Sequence, residues 1–303
     1  MLSQRIKGNV DTGVSMGAHT TFKVGGTADV VAYPLDAADL RETFLTVRES
    51  DTPCFVLGLG SNLLVKDGGI RGLVINLSKG LKEIKLLNNN RLLVGAGATM
   101  AATVAGAAKE GLEGLEFLSG IPGTVGGAVR MNAGAFGKEM KDVIESVTFM
   151  DSDGKERIFN REDLSFSYRN LDLKEGQIIT ACTFALNKGD EKEIRSRTKQ
   201  YALDRGSKQP LGKPTAGSVF KNPEGDFAGR LIEAAGLKGL TIGKAKISEK
   251  HANFIENCGG AKASHILELI EIAKKRVFDN SGIVLEMEVK IVGEELTQEA
   301  STI

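Results

Sequence analysis

Residues 119–137 read SGIPGTVGGAVRMNAGAFG and place six glycines in nineteen positions. A packed core has little use for such a run, because glycine gives up the most backbone freedom on folding. The run suits tight turns, or a concave nest in which main-chain amides face an anion. A second glycine turn, Gly58-Leu59-Gly60-Ser61-Asn62, stands upstream, directly after the apolar segment 53–57. Two such turns, each fed by an apolar strand, read as a pair.

The standard phosphate motifs do not account for them. The dinucleotide fingerprint GxGxxG lacks its third glycine in Gly58-Leu59-Gly60-Ser61-Asn62-Leu63 and again in Gly95-Ala96-Gly97-Ala98-Thr99-Met100. A Walker loop fails at Gly212-Lys213-Pro214, where serine or threonine is required. The residues alone lead to an extended, dinucleotide-like anion held between two small α/β lobes outside a Rossmann fold.

Composition narrows the partners. Lys+Arg and Asp+Glu are 39 each, which gives no electrostatic case for nucleic acid or a membrane surface. Hydrophobic content of 41% and charged content of 26% are those of a globular protein, and 303 residues suffice for two or three domains. Cys54, Cys182 and Cys258 are far apart, with no CxxC spacing, and the three histidines form no HExxH. That pattern suits a reducing, cytoplasmic setting and no metal site. The N-terminal residues carry no apolar signal segment. Residues 92–108 run uncharged for seventeen positions, but Gly95 and Gly97 break them, so they read as a strand, a turn and a small-residue helix.

In chain order the pattern predicts a strand, a Gly25-Gly26 turn and a second strand within 19–34, then a helix capped by Asp36 with Leu40, Phe44 and Val47 inward. Strands follow at 53–57 and 73–77, and two more within 79–99 join at Asn88-Asn89-Asn90. A helix ends at Gly111. A hairpin turns at Asp151-Ser152-Asp153-Gly154, a strand covers 178–186, and a charged helix covers 191–205. Residues 206–221 read as a loop. Asp226 and Ser264 are the expected caps of two last helices, and 283–292 the final strand, with Glu286, Glu288 and Lys290 on its polar face.

Several segments in fixed order carry a resemblance: Thr20–Gly26, Leu57–Leu64, Gly120–Ala128, Asn132–Gly137, Phe166-Ser167-Tyr168-Arg169, Ala216–Pro223 and Lys250-His251-Ala252-Asn253-Phe254. Together they resemble the UDP-N-acetylenolpyruvoylglucosamine reductase family over about residues 18–293. Fewer than fifty residues separate Arg169 from Ser218, which resembles the shorter (type II) members. Ile242-Gly243-Lys244-Ala245-Lys246 departs from the family's usual wording.

The resemblance implies an α+β protein with the FAD-binding fold of the vanillyl-alcohol oxidase type. FAD-binding lobes would cover 1–78 and 79–204, and a C-terminal α/β substrate domain 205–303. It implies a cytoplasmic, monomeric enzyme that uses FAD, with NADPH as co-substrate, to reduce the enolpyruvyl group of a UDP-sugar in peptidoglycan precursor synthesis. Neither nucleic acid, membrane nor metal is implied. Arg169 would take the substrate carboxylate, Ser218 would donate the proton, and Glu288 would stabilise the intermediate. FAD contacts would come from Gly58, Leu59, Gly60, Ser61, Asn62, Leu63, Ser119, Ile121, Pro122, Gly123, Thr124, Gly126, Gly127, Ala128, Asn132 and Gly134. Tyr168, Lys208 and Asn222 would contact the UDP-sugar. His251 and Asn253 stay outside the catalytic set. Two rivals remain at this stage: an FAD-linked oxidase on the same fold, disfavoured because 115–137 offers no His or Cys to tether flavin, and a non-enzymatic nucleotide-sugar or flavin binder.

Overall fold

A computed structural model describes residues 2–296. The chain divides into two compact units: Met1–Asp11, Val31–Leu59 and Leu73–Ser207 form the first, and Thr12–Val30, Gly60–Gly72 and Lys208–Ile303 the second. The opening elements are β1 (Val10–Ser15), β2 (Thr27–Ala32), α1 (Ala37–Glu49), β3 (Cys54–Leu57), β4 (Leu63–Val65), β5 (Ile70–Asn76), β6 (Ile84–Leu87) and β7 (Arg91–Gly95). The remaining helices are α2 (Met100–Lys109), α3 (Val125–Arg130), α4 (Glu191–Lys208), α5 (Ala228–Ala234) and α6 (Ala263–Ser281).

The first unit is built on a five-stranded antiparallel sheet in the order Glu156–Asn160, Ile144–Met150, Ile178–Ala185, β7, β6. Val147, Phe149, Cys182, Phe184, Leu92 and Val94 supply its buried side chains. The β6–β7 hairpin turns where the sequence places three asparagines, two of them, Asn89 and Asn90, at φ 58°. Asparagine tolerates that left-handed region better than most residues. Thr99 caps α2 by accepting the Ala102 N–H at 3.1 Å, and Gly111 follows its end at φ +62°. Thr103, Val104, Ala107 and Ala108 are buried, so the uncharged 92–108 run is a strand followed by a tightly packed helix. Elsewhere in this unit β3 runs parallel to β5, pairing Cys54 with Leu73 through Leu57 with Asn76. Asp36 caps α1 through the Asp39 N–H, and Leu40, Phe44 and Val47 are buried, as the spacing predicts.

In the second unit β4 pairs in parallel with the strand Lys290–Val292. Thr241–Ile242, Ala245–Ile247 and Ile255–Asn257 form a small antiparallel sheet against α6. The core joins Phe22, Leu64, Val219 and Phe220 to the α6 stripe Ile266, Leu269, Ile270, Ala273 and Val277. Gly282 ends α6 in the left-handed region.

Several expectations are corrected. Residues 19–24 form turns rather than a strand: Thr20 Oγ1 donates to the Val24 carbonyl at 3.1 Å, and Lys23 sits at φ 55°. The charged helix α4 continues to Lys208, so 206–208 are helical. Strand β6 begins only at Ile84. Of 283–292 only Lys290–Val292 is strand, although Leu285 and Val289 are buried and Glu286 is exposed as the alternation predicts. The partner of this stretch is the irregular segment 218–221, which offers one isolated pairing, Phe220 with Met287. Asp226 does not cap α5. It accepts from the Phe227 N–H and pairs with Arg230, while the Asn222 side chain accepts the first helical amide, Ala228, at 3.1 Å. Ser264 does not cap α6; both Asp67 carboxylate oxygens do, accepting from Ala263 at 2.7 Å and Ser264 at 3.0 Å. Burial acts to raise the Asp67 carboxyl. The Ser264 and Ala263 amides and the Lys262 charge outweigh it and hold the carboxyl below its ordinary value.

Candidate functional site

In the first unit the two glycine turns meet. A Cβ on Gly58, at the end of β3, would overlap Thr124 Oγ1, with Thr124 Cβ and Cγ2 both at 3.4 Å. Gly126 lies equally close to the chain: its Cβ would come 2.9 Å from Ala96 Cβ. The amides of Val125 and Gly126 donate to the Ala98 and Ala96 carbonyls at 2.9 Å, and those of Ser119 and Ile121 to Glu116 and Leu118. Part of the glycine run therefore serves chain-on-chain packing, and these four amides are spent within the protein. Ser119 is buried, and its Oγ has no hydrogen-bond partner. A buried hydroxyl left open costs about 1–3 kcal/mol, which a bound acceptor would recover. That orphan and the close-set turns fit a bound flavin nucleotide. Ile121 is half-buried, Pro122 and Gly127 are exposed, and Gly123 (φ 154°) and Ala128 flank Thr124 and α3.

The same segment holds the predicted arginine. Phe166–Ser167 and Asn170–Leu171 pair as a hairpin whose two-residue tip is Tyr168-Arg169. Arg130, on α3, donates through Nη1 to Asn170 Oδ1 at 2.5 Å and to the Leu171 carbonyl at 2.6 Å. Asn132, fully buried, donates to the Ser167 carbonyl and to Glu139 Oε2, both at 3.0 Å, and accepts from the Lys141 amide at 3.1 Å. Its side chain is committed to holding the hairpin. Arg169 donates to the Gly134 carbonyl at 3.3 Å and lies over the Tyr168 ring at 5.0 Å. It sits at φ 58°, which costs a non-glycine residue about 1–2 kcal/mol. Strain of that kind is kept where function requires it. Tyr168 is exposed.

In the second unit Ser218 and Glu288 are brought together through one residue. The Val219 carbonyl, next to Ser218, accepts the Glu288 N–H at 2.8 Å and the Val289 N–H at 3.3 Å. Lys221 repeats the pairing, its N–H donating to the Glu286 carbonyl at 2.8 Å. Asn62 joins them: its Nδ2 donates to the Glu288 carbonyl at 3.1 Å, and its own carbonyl accepts from the Lys290 amide at 3.1 Å. The turn before it packs tightly, because a Cβ on Gly60 (φ +62°) would strike the His19 carbonyl. Leu63 begins β4, buried, while Ser61 is half-buried in the turn and Leu59, in the first unit, is partly exposed. Lys208 ends α4, exposed, and Asn222 is exposed with its side-chain oxygen on α5.

Sequence reasoning missed Asn253. Its buried amide clamps Phe220, accepting that residue's N–H at 2.9 Å and donating to its carbonyl at 2.8 Å, while the Asn253 carbonyl takes the Val219 N–H at 2.8 Å. His251 accepts the Asn253 N–H at 3.3 Å, and burial lowers its pKa below the ordinary value. The Lys-His-Ala-Asn run was the available signal, and its role is to fix the Ser218 loop. Arg205 was missed as well: nothing in the charged pattern of 191–205 separates it from its neighbours. No group of three or more His, Cys, Asp or Glu among the described residues could hold a metal ion. No helix among them is long and apolar enough to cross a membrane.

Comparison with known proteins agrees with this geometry. Residues 209–292 match the model of the UDP-N-acetylenolpyruvoylglucosamine reductase C-terminal domain, and residues 28–160 match an FAD binding domain. The chain is 47% identical over 288 residues to the UDP-N-acetylenolpyruvoylglucosamine reductase of Geotalea uraniireducens, covering 95% of each chain. It is 45% identical over 294 residues to that of Anoxybacillus flavithermus, covering 96% of this chain and 97% of that one. The crystal structure of the Thermus caldophilus enzyme of that name superposes with a TM-score of 0.82 at 38% identity, over 94% of this chain and 100% of that one.

Proposed function

The chain belongs to the UDP-N-acetylenolpyruvoylglucosamine reductase family, and from that premise we propose that it reduces UDP-N-acetylglucosamine enolpyruvate to UDP-N-acetylmuramate with electrons from NADPH. It is an FAD-dependent oxidoreductase of peptidoglycan precursor synthesis with the α+β FAD-binding fold of the vanillyl-alcohol oxidase type. When bound, FAD supplies two-electron chemistry, taking hydride from NADPH and passing it from N5 to the methylene carbon of the enolpyruvyl ether.

The protein's task is to receive the charge that then appears beside the carboxylate, and to supply one proton. Arg169 receives the carboxylate: a planar guanidinium binds it through two donors and strengthens as its charge grows. Ser218 Oγ–H gives the proton to the adjacent carbon. A hydroxyl is a weak acid, adequate here because the carbon anion is strongly basic. Glu288, joined to the Ser218 loop through the Val219 carbonyl, acts with Arg169 on the charged intermediate. That joining is the observation that carries the reading, since nothing in a bystander serine and glutamate 70 residues apart requires their backbones to share one carbonyl. Gly58, Ser119, Thr124, Asn62 and their neighbours would hold FAD, and Tyr168, Lys208 and Asn222 the UDP-sugar. Lobes 1–78 and 79–204 would serve the cofactor and 205–303 the substrate, in a monomeric cytoplasmic enzyme of the shorter type.

The test is spectroscopic. The purified protein is expected to be yellow, to bleach with NADPH without oxygen, and to recover its colour on addition of UDP-N-acetylglucosamine enolpyruvate. Flavin reduced by an alcohol and untouched by NADPH would refute the reading.

A further inference from the structure

Two buried donors in the first unit lack partners, and they flank the same glycine. Ser119 Oγ is one; Arg205 Nε, near the end of α4, is the other. Gly120 stands between them. It follows Ser119 in the chain, sits at φ +74°, and a Cβ there would come 3.0 Å from Arg205 Cδ and 3.8 Å from Nε. Any side chain at 120 would fill the place the arginine occupies. The acid nearest Arg205 in sequence does not neutralise it, because Asp204 accepts from Gln200 at 2.8 Å. The charge that Arg205 does feel is a like one, from Arg169, and it acts with burial to lower the Arg205 pKa. A folded chain gains nothing by burying one guanidinium within reach of another and leaving it short of an acceptor. It gains if an anion completes the set.

We propose that Arg205, with the Ser119 hydroxyl, forms a second anion-receiving corner beside Arg169, shaped for a planar delocalised negative charge. Two groups in the reaction have that chemistry: the pyrimidine edge of the reduced flavin ring, and the carboxylate of the enolpyruvyl substrate. The inference rests on the flavin-and-carboxylate reading above. A colourless protein would end that reading. A yellow protein whose Arg205 variants behave as wild type would end only this one.

The experiment uses FAD-loaded enzyme and the variants Arg205→Met, Arg205→Lys and Ser119→Ala, with two readouts besides turnover. One is the midpoint potential of the bound flavin without substrate. The other is the affinity of the oxidised enzyme for UDP-N-acetylglucosamine enolpyruvate. A hydrogen bond to a charged group is worth about a tenfold effect or more. If the corner takes the flavin, Arg205→Met is expected to lower the potential by about 30 mV, the equivalent of tenfold for a two-electron couple. If it takes the carboxylate, the potential holds and substrate affinity falls about tenfold. Arg205→Lys should restore part of either loss and Ser119→Ala should show a smaller loss in the same readout. Arg205→Met with wild-type melting temperature, potential and affinity would overturn the proposal. Should Arg205→Met fail to fold, wild-type values of both readouts in Arg205→Lys and Ser119→Ala would overturn it equally.

Discussion

Replacing Gly58 by alanine tests whether the two glycine turns meet. The backbone at Gly58 needs no left-handed conformation, so the cost comes from space alone. The new Cβ would overlap Thr124 Oγ1, whereas Thr124 Cβ and Cγ2, at 3.4 Å, stand at ordinary contact distance. One hydroxyl oxygen is therefore the whole obstacle. Thr124 is buried and begins α3, so it cannot swing aside freely. Overpacking of this kind costs about 1–3 kcal/mol. Thr124→Ala removes the oxygen. The double variant should be more stable than the sum of the singles by about 1–2 kcal/mol, the signature of directly contacting sites. Urea unfolding at one fixed FAD concentration measures it, because bound ligand shifts apparent stability. Additivity within about 0.5 kcal/mol would show that Gly58 and Thr124 are not in contact and refute the reasoning.

Other consequences can be measured separately. Asn253→Ala leaves the Phe220 N–H and carbonyl without their side-chain partner; at about 1–3 kcal/mol per buried group the loss is about 2–6 kcal/mol, read by urea unfolding. A loss below 1 kcal/mol, against that ~2 kcal/mol floor, would contradict the clamp. Asp67, its pKa depressed, stabilises fully above the unfolded carboxylate range and loses that contribution as pH falls below about 4. Asp226, held down to about 2 chiefly by Arg230, acts in the same direction. Asp67→Asn should therefore melt lower at neutral pH and lose less on acidification than the native chain, as melting curves against pH will show. Cys182, buried, has its thiol pushed well up, so a thiol reagent should label exposed Cys258 and spare Cys182 until the protein unfolds.

Much of the fold was legible because the signals are local. Thr99 caps a helix three residues on, Gly111 and Gly282 end theirs, and Asn89-Asn90 turn a hairpin, all within one turn of chain. What the sequence hid was supplied from a distance. The α6 cap is Asp67, 196 residues before Ala263, so Ser264 was the natural local guess and the wrong one. The 283–292 alternation was real burial without a regular partner strand. The candidate site follows the same division. Arg169, Ser218 and Glu288 came through resemblance, since an arginine at a hairpin tip or a serine in a loop announces nothing by itself. Asn253 and Arg205 matter through backbone clamps and missing partners, which no one-dimensional pattern displays.

The most direct measurement separates the two half-reactions of Ser218→Ala by stopped-flow absorbance. Bleaching of the flavin by NADPH should keep its native rate, while reoxidation by UDP-N-acetylglucosamine enolpyruvate slows by about 10²–10⁴, as the loss of a positioned acid requires. Equal slowing of both steps, or reoxidation at the native rate, would contradict Ser218 as the proton donor and the mechanism built on it.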